Sequence, residues 1–169
     1  MLRRWRADDR APFAALNADP RVMEHLLAPL TPEESDAFVD RIEAEFDELG
    51  YGLWAVEVVG GAAFTGYVGL HRVPFDAPFT PAVEVGWRLA HEHWGNGYAS
   101  EAARVAIAFG FGEAGLAEIV SFTSPDNERS WRVMERIGMT RDPGDDFDHP
   151  NVPVGHRLRR SVLYRITPG

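Results

Sequence analysis

The 169-residue chain contains no cysteine, which excludes a disulfide framework, a thiolate metal site and a cysteine nucleophile. No window approaches the roughly 18 consecutive apolar residues of a membrane-spanning helix. No apolar stretch follows the basic residues near the N-terminus, as it would in a secretory signal. We therefore expect neither secretion nor membrane insertion, and no membrane partner. The same absences fit a cytoplasmic protein.

Cationic side chains are outnumbered, 17 against 26 acidic ones, which gives a formal net charge of −9. A nucleic-acid surface generally needs an excess of Lys and Arg on one face, so we do not expect nucleic acid as a partner. An amine-bearing partner is easier to accept, although such a charge can also serve solubility alone. With 45% hydrophobic residues the chain can bury one substantial core, and we expect one domain over residues 1–169.

The clearest predicted helix begins at Thr31. Thr31, Pro32 and Glu34 supply an N-cap, a first-turn proline and a capping-box glutamate, and Gly50 follows the last apolar position. Further helices are predicted over three ranges: 11–16, 98–112 and 126–137. In the second of these, the spacing places four residues on one face: Ala102, Val105, Ala106 and Phe109.

Runs of β-branched and aromatic residues predict strands between these helices. The predicted strands cover residues 2–6, 53–59, 64–70, 82–89, 119–123 and 162–166. The chain order of strands and helices indicates a mixed α/β (α+β) fold with a central sheet flanked by helices. The irregular segment from Arg141 to about Gly155 is long for a connection, and we interpret it as a functional loop.

The strongest local signal is the run Trp94-Gly95-Asn96-Gly97-Tyr98-Ala99, placed between a predicted strand and a predicted helix. Glycines let successive backbone N–H groups turn toward one point, and the helix N-terminus adds unpaired N–H groups and a favourable dipole. A diphosphate would suit such a site. The alternative is a tight strand-to-helix turn without a ligand. The Walker pattern and the dinucleotide fingerprint are both excluded, because the chain lacks the required Gly-Lys-Ser/Thr and third glycine.

Three ordered motifs together resemble the GNAT N-acetyltransferase superfamily over roughly residues 5–166. They are Val83-Glu84-Val85-Gly86-Trp87-Arg88-Leu89, the run 94–102 and Asp126-Asn127-Glu128-Arg129-Ser130. They are most similar to the Rim-type branch, typified by ribosomal-protein N-terminal acetyltransferases. The superfamily's loop usually begins with Arg or Gln, and Trp94 stands there in this chain. The resemblance implies a mostly antiparallel twisted sheet, splayed where acetyl-CoA inserts between the strands of Trp87 and Val120.

The same resemblance implies acetyl-CoA as co-substrate and a primary amine as acceptor, either a peptide or protein N-terminus or a small molecule. A non-catalytic acyl-CoA-binding module is the alternative, and a homodimer stays possible. The resemblance assigns the pantetheine arm to the backbone groups of Trp87, Arg88 and Leu89, and the diphosphate to the backbone amides from Gly95 through Ala99. The residues implied in cofactor binding are Trp87, Arg88, Leu89, Trp94, Gly95, Asn96, Gly97, Tyr98, Ala99, Ser100 and Asn127.

Amine acetylation needs a base for the attacking amine and a donor for the departing thiolate. Glu84 is the candidate base, directly or through a water, unless it is a strand charge that faces solvent. Asn127 and Ser130 precede an inward-facing stripe, which points both toward the interior. The resemblance implies that Ser130 donates to the departing sulfur, a role that Tyr carries in many relatives, and that Asn127 positions the pantetheine. The alternative is that Asn127 caps the helix and Ser130 is a small core residue. The Leu89 amide is placed to polarise the thioester carbonyl.

The histidines give weaker signals. His149, in the predicted loop, borders the acceptor side in related sequences and is a secondary candidate for acceptor binding or proton transfer. His91 and His93 flank Glu92, but no third ligand is evident, so we interpret them as a solvated turn and expect no metal. Many similar sequences carry His where Ser161 stands, so any contribution of that His is missing here.

Overall fold

The computed structural model describes residues 1–169 and contains one continuous mixed sheet with small additions at its end. The strand order is β1-β2-β3-β4-β5-β8-β6, and β7 pairs with β8. Every neighbouring pair is antiparallel except β4 and β5, which are parallel. The strands are β1 (Leu2–Arg3), β2 (Leu53–Val56), β3 (Gly66–Arg72), β4 (Val83–Leu89), β5 (Ile119–Thr123), β6 (Thr140–Arg141), β7 (Phe147–Asp148) and β8 (Arg160–Ile166). The mixed, mostly antiparallel α/β architecture is confirmed.

The helices are α1 (Arg10–Ala18), α2 (Pro20–Met23), α3 (Pro32–Leu49), α4 (Tyr98–Gly112) and α5 (Glu128–Arg136). The predicted capping box of α3 is formed by Thr31 and Glu34, and Gly50 ends the helix with φ 76°. Helix α2 and strands β6 and β7 were not predicted, because elements of two to four residues carry no periodicity. None of the helices is both long and apolar enough to cross a membrane.

Helices cover both faces of the sheet and divide its core. On one face, α1 and α3 pack against β2 and β3 through Phe13, Ile42 and Tyr67. On the other face, α4 packs against β3 and β4 through small side chains such as Ala103 and Ala106. The prediction that Val105 shares this inner face is wrong, since Val105 is 56% exposed. The buried stripe is offset from Val105 and consists mostly of small residues, which let the helix approach the sheet closely: Ser100, Ala102, Ala103, Ala106, Ile107 and Gly110.

The parallel strands β4 and β5 meet at a single pair, Glu84 opposite Val120. Beyond that pair no further partners join them, although both strands continue in the same direction. The sheet is therefore splayed between Trp87 and the end of β5, in the place that the sequence resemblance implied.

Candidate active site

A cavity of about 1050 Å³ lies where β4 and β5 part. Its wall contains residues from both strands, the loop before α4, the start of α5, the α2–α3 region and the segment after β7. The structure thus brings the predicted site residues to one place, with one exception, Asn96. Those that line the cavity are Glu84, Trp87, Arg88, Leu89, Trp94, Gly95, Gly97, Tyr98, Ala99, Ser100, Asn127, Ser130 and His149.

The loop before α4 presents a row of backbone donors to this cavity. Gly95 and Gly97 have φ of 77° and 82°, the left-handed region that glycine adopts without strain. No side chain caps α4, and the N–H groups of residues 95–100 have no hydrogen-bond acceptor within the protein. Six consecutive free donors at a helix N-terminus are suited to an anion such as a diphosphate.

Two side chains hold this loop in shape. Trp94 Nε1 donates to the Leu89 carbonyl at 2.8 Å, which ties the start of the loop to the end of β4. Asn96 Nδ2 donates to the carbonyls of His93 and Trp94, both at 3.1 Å. The Asn96 side chain is therefore occupied with the loop itself, and only its backbone N–H is free for a ligand. Trp94 fills the place of the usual Arg or Gln by bracing the loop.

The edge of β4 that faces β5 is open. In the β3–β4 ladder, Val73 N–H donates to the Ala82 carbonyl and Ala90 N–H to the Thr65 carbonyl. Hydrogen-bonded pairs alternate in an antiparallel ladder, so the backbone N–H and C=O groups of residues 84, 86 and 88 bond to β3. The N–H groups of Trp87 and Leu89 therefore point the other way, toward the gap between β4 and β5. Arg88 differs from the expectation, since its backbone is paired with Tyr67. Only its side chain is available to a ligand.

Glu84 is paired with a histidine that the sequence did not single out. Its Oε2 lies 3.0 Å from His71 Nε2, and the two residues are direct partners in the β3–β4 register. The Glu84 side chain is only 13% exposed, so it is not a strand charge facing solvent. Burial disfavours the charged imidazole, but the hydrogen bond and negative charge of Glu84 outweigh it and raise the pKa of His71. The second carboxylate oxygen, Oε1, has no hydrogen-bond partner.

Asn127 and Ser130 occupy the first turn of α5. Asn127 Oδ1 accepts from Ser130 N–H at 3.4 Å and thereby caps the helix, while its Nδ2 donates to Thr123 Oγ1 at 2.9 Å. The capping alternative therefore describes what the Asn127 side chain does. The Ser130 hydroxyl has no partner within the protein and lines the cavity, so it is free to donate to a ligand.

His149 lies in the cavity wall within a cluster of aromatic side chains. Its ring centroid is 4.4 Å from that of Phe75, and its Nδ1 accepts from Asn151 N–H at 3.2 Å. Burial lowers the pKa of His149, a shift that the nearby charge of Glu84 opposes and that of Arg159 assists. A neutral ring whose Nδ1 accepts a hydrogen bond carries its proton on Nε2.

Three further features concern the weaker signals. His91, Glu92 and His93 form a short 3₁₀ turn, and no group of three or more His, Asp or Glu side chains is arranged to hold a metal ion. Ser161 is buried and lines the cavity.

The predicted loop after Arg141 contains β7 and contributes Asn151 and Val152 to the cavity wall.

The sequence matches the family model of the acetyltransferase (GNAT) domain over residues 1–140. The chain belongs to the GNAT acetyltransferase family. Two Bacillus subtilis relatives are the uncharacterized protein YkkB and the uncharacterized N-acetyltransferase YnaD. YkkB is 33% identical over 132 residues, 78% of this acetyltransferase and 76% of that protein. YnaD is 29% identical over 169 residues, 98% of this chain and 92% of the relative.

Solved structures share the fold of this acetyltransferase. A GNAT-family acetyltransferase from Bacillus anthracis superposes with a TM-score of 0.79 at 27% identity, over 98% of this chain and 93% of the other. The full-length match includes β8, which lies beyond the residues that the family model covers. The α/β fold of the acetyltransferase is thus common to its relatives.

Sequence reasoning missed the positive charge of the cavity. Five arginines and two glutamates line it, although the whole chain has a net charge of −9. Arg129 lies 4.6 Å above the Trp94 ring, and Arg136 Nη1 is 3.5 Å from Ser100 Oγ. Neither guanidinium has a carboxylate partner. Their spacing of seven residues on α5 was a signal that they share one face of the helix.

Proposed function

We propose that this acetyltransferase moves the acetyl group of acetyl-CoA to a primary amine. One observation carries the proposal: five of the unpaired N–H groups, those of Gly95 and of residues 97–100, belong to residues that line the same cavity as Glu84. A diphosphate site and a base within one cavity of about 1050 Å³ suit a large phosphorylated donor and a proton-losing acceptor. Family membership supports the same reaction.

The residues present fit coenzyme A. The free amides of the loop suit the diphosphate, and the unpaired guanidinium groups of Arg129 and Arg136 suit further phosphate charge. The open edge of β4 offers the N–H groups of Trp87 and Leu89 to the amide-containing pantetheine arm. When bound, acetyl-CoA supplies an acetyl group activated as a thioester. Trp87 lies three residues from Glu84 and Leu89 five, so the Trp87 N–H, rather than the Leu89 N–H expected from the sequence, is the one that would polarise a carbonyl attacked by an amine at Glu84.

Glu84 is the proposed base. A protonated amine cannot attack, and Glu84 Oε1 is free to take a proton directly or through a water. His71 engages the other oxygen and fixes the orientation of the carboxylate, so we assign it as a positioning residue. The Ser130 hydroxyl donates to the departing sulfur, and Asn127 fixes the turn that carries Ser130.

His149 is less suited than Glu84 to act as the base. Its Nδ1 is occupied by the Asn151 N–H, so the neutral ring presents a protonated Nε2. A group that already carries a proton at its free nitrogen can donate a hydrogen bond but cannot take a proton there. We therefore propose that His149 contacts the acceptor as a hydrogen-bond donor.

The acceptor is either a peptide or protein α-amine or a small-molecule amine. The Rim-type character of the three sequence motifs supports the first class, and the partly aromatic wall of the cavity supports the second.

A thiol-release assay with acetyl-CoA and a panel of amines and short peptides tests the proposal. The protein contains no cysteine, so a thiol reagent detects only released coenzyme A, and it contains no lysine that could itself be acetylated. Amine-dependent thiol release, with the acetylated amine found by mass spectrometry, is the expected result. Calorimetric titrations with acetyl-CoA, desulfo-coenzyme A and a nicotinamide dinucleotide run beside it.

The calorimetry separates the two ways in which the proposal can fail. Selective binding of the coenzyme A compounds without any turnover would indicate an acyl-CoA-binding module. No binding of coenzyme A compounds to the folded protein would contradict both acetyl transfer and acyl-CoA binding.

A further inference from the structure

Arg88 carries a positive charge that nothing in the protein neutralises. Its only side-chain hydrogen bond goes from Nη1 to the amide oxygen of Asn17, at 2.7 Å, and no carboxylate lies within salt-bridge distance. Its guanidinium lies beside two aromatic rings that contact each other, 5.5 Å from the centroid of Tyr67 and 5.6 Å from that of Phe38. The residue is half-buried and lines the cavity. A half-buried cation without a counter-ion is costly, so its remaining N–H donors suit an anion supplied by a ligand.

Arg88 lies on the same strand as the proposed base, Glu84. Residues 84, 86 and 88 point to the same face of β4, and Gly86 between the two charged residues has no side chain. A Cβ at Gly86 would meet only the His71 ring and Glu84 Oε1, at 3.8 Å or more. The surface of β4 between Glu84 and Arg88 is therefore free of other side chains. Four residues of strand separate the Cα atoms of Glu84 and Arg88 by about 13 Å.

The other cavity acid does not compete for Arg88. Glu34 is the only acidic residue besides Glu84 in the cavity wall, and its carboxylate accepts from Thr31 N–H in the capping box of α3. Arg21, another cavity arginine, is bound to Asp19 at 2.6 Å. Arg88 is therefore the unneutralised cation on the face of β4 that carries the proposed base.

We propose that the acceptor is an amine that also carries a carboxylate, with the amine at Glu84 and the carboxylate at Arg88. This inference rests on the proposed acetyl transfer and names its substrate class. Because the two charged residues stand well apart on the strand, several bonds separate the amine from the carboxylate, and an apolar body between them lies against Tyr67 and Phe75. The acceptor class is thus an ω-amino acid or a compound of similar charge separation.

Paired acceptors that differ only in charge test the inference. Each pair contains a carboxylic acid and its neutral amide: 6-aminohexanoate and 6-aminohexanamide, and 4-(aminomethyl)benzoate and its amide. We expect kcat/KM of the wild-type protein to favour the acid about tenfold or more, since a charge-assisted hydrogen bond contributes about 1.5 kcal/mol or more. In Arg88→Gln the ratio of acid to amide should fall close to one, and Arg88→Lys should retain part of the preference.

Arg21→Gln is the matched control, because it removes a cavity arginine that already has a carboxylate partner. It should keep the acid-to-amide ratio of the wild type. Equal kcat/KM for acid and amide in the wild type, or the same ratio in Arg88→Gln, would overturn the inference. If Arg88→Gln does not fold, the wild-type ratio at rising salt decides, since a charge-based preference declines with screening.

Failure of the inference is distinguishable from failure of the proposed function. Acetylation of the amides and of neutral amines, without preference for the acids, contradicts the assignment of Arg88 and leaves acetyl transfer intact. An absence of acetylated product with every amine contradicts both.

Discussion

The two ends of the cavity are assembled from different atoms and from different parts of the chain. The loop end, residues 94–100, consists of backbone N–H groups from one continuous stretch. The strand end, which comprises His71, Glu84, Arg88 and His149, consists of side chains from three separate segments. A backbone site depends on chain conformation, which glycine positions reveal, whereas a side-chain site depends on how strands are paired.

The largest expected effect lies at the strand end. Glu84→Gln removes the proposed base and should lower kcat roughly 100-fold, because general-base catalysis contributes at least that much. The low-pH limb of the kcat profile should flatten as well. Glu34→Gln is the control, since Glu34 lines the cavity but serves only the cap of α3. A pH profile of Glu84→Gln that matches the wild type would assign the base role to another group.

The loop end is tested by Gly97→Val. Gly97 has φ 82°, which costs a residue with a side chain about 1–2 kcal/mol, and relief of that strain moves the N–H groups of the loop. We expect the Kd for acetyl-CoA to rise about tenfold in calorimetry. Gly50→Val places the same strain at the end of α3, at a residue outside the cavity wall, and should lower stability without changing the Kd. An unchanged Kd in Gly97→Val would refute the diphosphate assignment.

Ser130→Ala probes the point where the two ends meet. A hydrogen bond to a charged group contributes about 1.5 kcal/mol, so kcat should fall about tenfold while the Kd for acetyl-CoA stays constant. Ser130→Thr keeps a hydroxyl and should retain most of the turnover. If kcat of Ser130→Ala equals that of the wild type, Ser130 has no part in the reaction.

The smallest effect concerns the ionisation of His71. Glu84 raises the pKa of His71 against the effect of burial, so Glu84→Gln should lower the pKa of His71, as measured by NMR titration of the ring. The stability gained from a raised histidine pKa is present below about pH 6.5 and is lost as pH rises through the folded-state pKa. The destabilisation by Glu84→Gln should therefore be larger near pH 6 than near pH 9. A pH-independent difference would contradict the pairing.

Much of the loop end could be predicted from the sequence. The glycine spacing, the preceding strand and the following helix are local signals, and each was found within a residue or two of its predicted bounds. At the strand end the sequence singled out Glu84 and His149 but not His71, because a ten-residue connection separates β3 from β4 and leaves their register open. The cationic lining was also missed, since a net charge of −9 says nothing of where charges lie.

The sequence by itself determined the capped helix α3, the strand-loop-helix unit around Gly95 and Gly97, and the family to which they belong. These features are local: they depend only on residue spacing and backbone preference within a short stretch of sequence. The tertiary structure decided which charges face each other: it pairs His71 with Glu84 and leaves Arg88 without a carboxylate. Those contacts depend on strand register and on the faces that strands present, which only the packing of the whole sheet determines.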